Sequence, residues 1–138
     1  MPDAGCRMPV IFVEDTQKRD VPKVRRMIRA VNKAVSGTLG LPPNTTWVRY
    51  SPGKPEYYGE GETGKVAPDL RPVFVIVRMT DGRDPKQIQK LYGPVSSAIA
   101  NAFDMFPDFV WMRIEEFHSD KVGQGAHSYT EIRKQKKK

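Results

Sequence analysis

The chain has little of what anchors secreted, metal-bound or membrane-embedded proteins. Its one cysteine, Cys6, cannot close an internal disulfide, so a reducing cytoplasm is the expected location. No apolar run approaches the ~18 residues a membrane span needs, and the stretch Met1 to Arg7 lacks the apolar centre of a signal peptide. Only two histidines occur, His118 and His127, away from any cysteine or carboxylate framework at ligand spacing. No metal and no cofactor is therefore expected. What is present, 38% apolar and 28% charged residues over 138 positions, suits one soluble domain.

The net charge of +7 is unevenly distributed, because five cations lie in the last six residues and their removal leaves +2. Residues 129–138 therefore read as a solvated, disordered basic tail. Such a tail attracts nucleic acid only weakly, so neither a nucleic-acid nor a membrane partner is expected.

Sliding the sequence on itself gives a gapless match at an offset of 64 residues. Thr16 falls on Thr80, Arg19-Asp20 on Arg83-Asp84, Trp47-Val48-Arg49 on Trp111-Met112-Arg113, and Gly59-Glu60-Gly61 on Gly123-Gln124-Gly125. Each half opens with a β-branched and aromatic run, Val10 to Val13 or Val73 to Val77, of the kind that forms a buried strand. Asp20 with Pro22, and Asp84 with Pro85, mark helix starts. The helices that follow carry apolar stripes of period 3.6: Val24, Met27, Ile28, Val31, Val35 and Leu39 in the first, Ile88, Leu91, Val95, Ile99 and Phe103 in the second. Gly93-Pro94 predicts a kink or break in the second helix. A strand from about Thr46 to Tyr50 closes the first half, and one from Phe109 to Glu115 the second.

Two such β-α-β units, joined by a Gly- and Pro-rich linker from Ser51 to Arg71, predict an α/β fold with a four-stranded sheet and both helices on one face. Short hairpins are expected near the Gly-x-Gly segments. The expected organisation is an extension over 1–8, one domain over 9–128 (repeat one 9–64, repeat two 72–128), and the tail.

Several residues in one register give the first half a resemblance to the 4-oxalocrotonate tautomerase family. These are Pro9-Val10-Ile11-Phe12-Val13, Arg19 ten residues after the proline, the helix from Met27 to Ser36, Leu41-Pro42, and Tyr58 before Gly59-Glu60-Gly61. The double length is similar to the cis-3-chloroacrylic acid dehalogenase and malonate semialdehyde decarboxylase branches of that superfamily. The resemblance implies a tautomerase-like β-α-β fold, a homotrimer, and a small anionic 2-keto or 2-hydroxy-enoate substrate handled by an amino-terminal proline. A secondary amine beside arginines loses proton affinity and approaches the range in which a general base works.

On this resemblance Pro9, Arg83 and Glu116 are the catalytic candidates, and Arg19, Trp47, Arg49 and Tyr58 the substrate-binding ones. Guanidinium forks suit a carboxylate and a developing enolate, and Arg19 and Arg83 precede helix N-termini, where anions are favoured. Glu116 is the water-activating candidate. Thr80 replaces a second arginine of the double-length relatives, and Arg78 is the nearest substitute. An internal proline nitrogen has no basicity, so three readings of Pro9 stand. Translation from Met8 with methionine removal frees its amine, Pro2 supplies the amine instead, or Pro9 merely begins a strand. The other activities considered are hydration, dehalogenation and decarboxylation, or a catalytically silent or RNA-binding protein with a blocked proline.

Overall fold

The computed structural model describes residues 9–136. The expected extension over 1–8 lies outside the described residues. Strand β1 (Val10–Asp15) leads through a polar turn to helix α1 (Val21–Leu39), and strand β2 (Trp47–Ser51) returns parallel to β1. The second repeat places β3 (Val73–Thr80), α2 (Pro85–Gln89), α3 (Tyr92–Phe103) and β4 (Val110–Phe117) in the same way, with β4 parallel to β3. The sheet order β2-β1-β3-β4 joins the repeats through an antiparallel β1–β3 pair. Both helical layers cover one face, as the tandem pattern predicts.

Local chemistry sets the boundaries. The Asp20 carboxylate accepts a hydrogen bond from the Lys23 amide, and Asp84 likewise caps α2 through the Lys86 amide, each next to a proline in the first turn. Helix α1 stops at Gly40, whose left-handed φ of 66° costs little without a side chain. The break foreseen near Gly93-Pro94 falls at Lys90-Leu91, between α2 and α3. There Pro94 occupies the first turn of α3, where no donor is needed. The stripe of α1 buries Met27, Val31, Val35 and Leu39, and that of α3 buries Val95, Ile99, Ala100 and Phe103, against Ile11, Val13, Val75 and Val77 of the sheet. Each such aliphatic or aromatic side chain contributes about 1.5–3 kcal/mol of burial.

Two expectations change. Among the described residues a hairpin forms only at the second Gly-x-Gly region, where β5 (Gly123–Gln124) pairs with β6 (His127–Ser128), whereas the first region contains turns. The stretch expected to be a disordered tail forms helix α4 over Tyr129–Lys136. Tyr129, only 3% exposed, is its anchor, and apolar burial of this kind offsets the repulsion among the cations that follow. No helix among the described residues is long and apolar enough to cross a membrane.

Candidate active site

The β1–β3 register sets Val10 opposite Arg78, so the start of β1 lies beside the end of β3. Strand β4 runs parallel to β3, pairing Met79 with Glu116 and Thr80 with Phe117, and β2 begins opposite Val10 at Trp47. One end of the sheet therefore gathers Pro9, Trp47, Arg83 and Glu116. Pro9 is buried, and its carbonyl accepts the Trp47 amide at 3.1 Å. A cavity of about 180 Å³ opens at this end, lined by Val10, Phe12, Met79, Phe117, Val122 and Tyr129 together with Arg78 and Thr80.

Two guanidinium groups converge on one residue at this cavity. Arg83 donates to the Thr80 carbonyl oxygen at 3.0 Å, and Arg133 of α4 donates to the Thr80 hydroxyl oxygen at 2.9 Å. The position without the expected arginine thus receives one from the far end of the chain. Arg78, the sequence-level substitute, points to the sheet face away from the helices. It stacks over Phe12 at 4.9 Å and donates from Nε to Glu115 at 2.9 Å. Arg113 meets the other Glu115 oxygen, also at 2.9 Å. The Arg78 hydrogen bond, with smaller contributions from both arginine charges, holds the Glu115 carboxyl below its ordinary range. Glu116 has the opposite parity, shares the helix-facing side with Met79 and is exposed.

Of the expected substrate-binding residues, Trp47 lies at this end and Arg49, Tyr58 and Arg19 lie elsewhere. Trp47 is 48% exposed, which excludes a core role within the protomer, and Arg49 sits mid-strand opposite Phe12. Tyr58 packs on Phe74 at 5.9 Å and donates to Glu60. Because Phe74 pairs with Glu14, Tyr58 belongs to the far end of the sheet. Burial and the Glu60 bond push its phenol up to about 12.

Arg19 is also at the far end, and it is fully engaged inside the protomer. Its Nε donates to Asp15 Oδ2 at 3.0 Å, Nη1 donates to the Phe103 carbonyl at 3.0 Å, and the guanidinium covers the Phe103 ring at 4.5 Å. The Asp15 side chain is 0% exposed and also accepts the Tyr50 hydroxyl at 2.8 Å. Burial and the neighbouring Asp15 raise the Tyr50 phenol well above its ordinary value. The anion position expected at the start of α1 is filled by the Asp20 cap itself. Helix α2 is only five residues long and offers little dipole.

Sequence reasoning missed Glu115, Tyr129 and Arg133 at the Pro9 end, and Asp15 and Tyr50 at the other. Parity offered a signal for Asp15: it continues the inward series Ile11, Val13, Asp15. The basic composition of the final segment concealed Tyr129. Among the described residues no group of three histidine, cysteine or carboxylate side chains gathers as a metal site.

No protein-family model matches the chain, and no curated protein matches it. Solved structures do match. A fused 4-OT that forms an asymmetric trimer has a TM-score of 0.80 at 18% identity, covering 89% of this chain and 98% of that one. FG41 malonate semialdehyde decarboxylase, inhibited by 3-bromopropiolate, has a TM-score of 0.72 at 18% identity, covering 91% and 96%. A macrophage migration inhibitory factor of Toxoplasma gondii has a TM-score of 0.71 at 13% identity, covering 86% and 98%. Identities this low establish the fold and leave activity to the site.

Proposed function

We propose that this chain, which has the fold of the tautomerase superfamily, is an enzyme that moves a proton on a small 2-hydroxy-enoate carboxylate to give the 2-keto acid. One observation carries the reading: the register that brings the start of β1 beside an apolar cavity whose lining residue Thr80 accepts from two guanidinium groups. A free Pro9 amine takes the proton of the 2-hydroxyl group as the enol electrons move out to carbon, and the resulting ammonium returns a proton to that carbon. Arg83 and Arg133 hold the carboxylate. They also favour the neutral amine by charge repulsion. The apolar lining, with Trp47 beside it, strengthens these interactions by keeping water out.

The mechanism requires Pro9 to be amino-terminal, through translation from Met8 and methionine removal. Glu116 enters only if water adds to the substrate. Arg19 is assigned to holding the fold. Arg49 and Tyr58 reach a Pro9 site only across an interface between copies. Such an assembly accords with the trimers among the similar structures and would cover the exposed Trp47 and Trp111.

Mass spectrometry of active protein should find proline first, and Pro9→Ala should lower kcat for phenylenolpyruvate ketonisation by ~10²–10⁴. Full activity in protein that retains residues 1–8 rules this mechanism out.

A further inference from the structure

Helix α1 carries Lys23, Arg25, Arg26, Arg29 and Lys33 and has no acidic residue in 19 positions. Lys23 meets Asp104 at 3.3 Å. Among the described residues, Arg25, Arg26, Arg29 and Lys33 enter no ion pair. Arg25 with Arg29, and Arg29 with Lys33, are like-charge pairs at a spacing of four, which weakens a helix where Glu-Lys pairs would support it. Among the described residues no ion pair offsets that cost, so the charge is directed outward. Arg26, Arg29 and Lys33 line a groove of about 460 Å³ between α1 and α3, together with the small Ala30, Ala98 and Ala102 and with Asn101. Arg29 and Lys33 also line an adjoining hollow of about 470 Å³ that reaches Asn44.

We propose that this groove docks the phosphodiester backbone of a nucleic acid. Arg26 and Lys33 are seven helical steps apart, with Arg29 between them, a rise of ~10 Å at 1.5 Å per residue. Four phosphates along one strand, three steps at ~3.4 Å each, occupy a comparable length, so three cations can each meet a phosphate within it. Asn101 adds an amide donor, and the small alanines let a strand approach closely. Between Arg25 and Lys33 the exposed residues are the cations alone, because Met27 and Val31 are committed to the core. The apolar side chains of the groove are the three alanines, too small to anchor in a bilayer or to serve as the hot spot of a protein partner. Backbone contacts of this kind carry no base information, so binding is independent of sequence and governed by counterion release. None of these residues lines the Pro9 cavity, so the surface stands apart from the proposed catalysis.

The test is fluorescence anisotropy of a labelled DNA duplex titrated with the full chain over a series of KCl concentrations. The log–log salt slope should be at least about 3 in magnitude, three phosphates at ~0.9 each. The triple variant Arg26→Gln, Arg29→Gln, Lys33→Gln should lower affinity at least about tenfold at low salt and flatten the slope by about 3. The single variant Lys33→Gln should flatten it by about 0.9, and this holds as a test if the triple variant loses its circular dichroism. The pair Arg26→Lys, Arg29→Lys should leave the slope in place, as should Lys134→Gln, Lys136→Gln, Lys137→Gln, Lys138→Gln in the final segment. Three results overturn the proposal: no binding to the duplex, a slope moved only by the C-terminal variant, or binding confined to anionic vesicles or polyglutamate.

Discussion

Arg19 and Arg83 occupy matching places in the two repeats, 64 positions apart, and do different work. Arg19 closes a buried set of contacts with Asp15, Tyr50 and Phe103. The same offset turns Asp15 into Met79, Tyr50 into Ile114 and, toward the other helix, Phe103 into Leu39. The second repeat has therefore kept the arginine and replaced the carboxylate, the phenol and the aromatic ring around it with apolar side chains. Arg83 instead binds the end of its own strand, beside the cavity. A duplicated residue is available for new chemistry once its old partners become apolar, and here the partners changed while the arginine stayed.

The sharpest way to break this comparison is to remove each arginine in turn. Arg19→Ala leaves the Asp15 carboxylate buried without its charge partner, so urea unfolding should report a loss of about 3–5 kcal/mol. Arg83→Ala should cost about 1 kcal/mol or less while slowing ketonisation. Equal losses of stability would show that the repeats had not diverged in this respect.

Tyr50→Phe probes the same network with a smaller effect, about 1.5–3 kcal/mol for a hydrogen bond to a charged group. It also carries a pH signature. The Tyr50 phenol is raised in the folded chain, so its contribution is complete below the ordinary tyrosine value of about 10 and is lost as pH climbs above it, where the unfolded chain ionises first. Alkaline denaturation curves of the wild type should fall through that window, and those of Tyr50→Phe should fall less.

The smallest effect concerns the caps. Asp20→Ala should destabilise by about 1 kcal/mol, because it releases the end of the 19-residue α1. Asp84→Ala should cost less, since α2 is a five-residue turn of helix. Thermal unfolding of the two variants side by side gives the order.

The fold was legible because its signals are local and repeated. The Asp-Pro helix starts, the apolar stripes and the unbroken strands each recur at the same offset, so each half checks the other. The candidate site was legible only in part. Pro9, Trp47, Arg83 and Glu116 come to one end because the β1–β3 pairing is antiparallel, a fact no single repeat contains. Arg133 escaped notice because its partner, Thr80, lies 53 residues away in the chain. Its neighbourhood of lysines reads as solvated tail, and a single buried Tyr129 reverses that reading.

Helix α4 has a consequence for how such a protein can diversify. Its Tyr129 lines the cavity and its Arg133 touches Thr80, yet it is eight residues long and follows every strand of the duplicated sheet. Exchanging this one segment can therefore alter what the cavity admits in a single step, with both β-α-β repeats left intact.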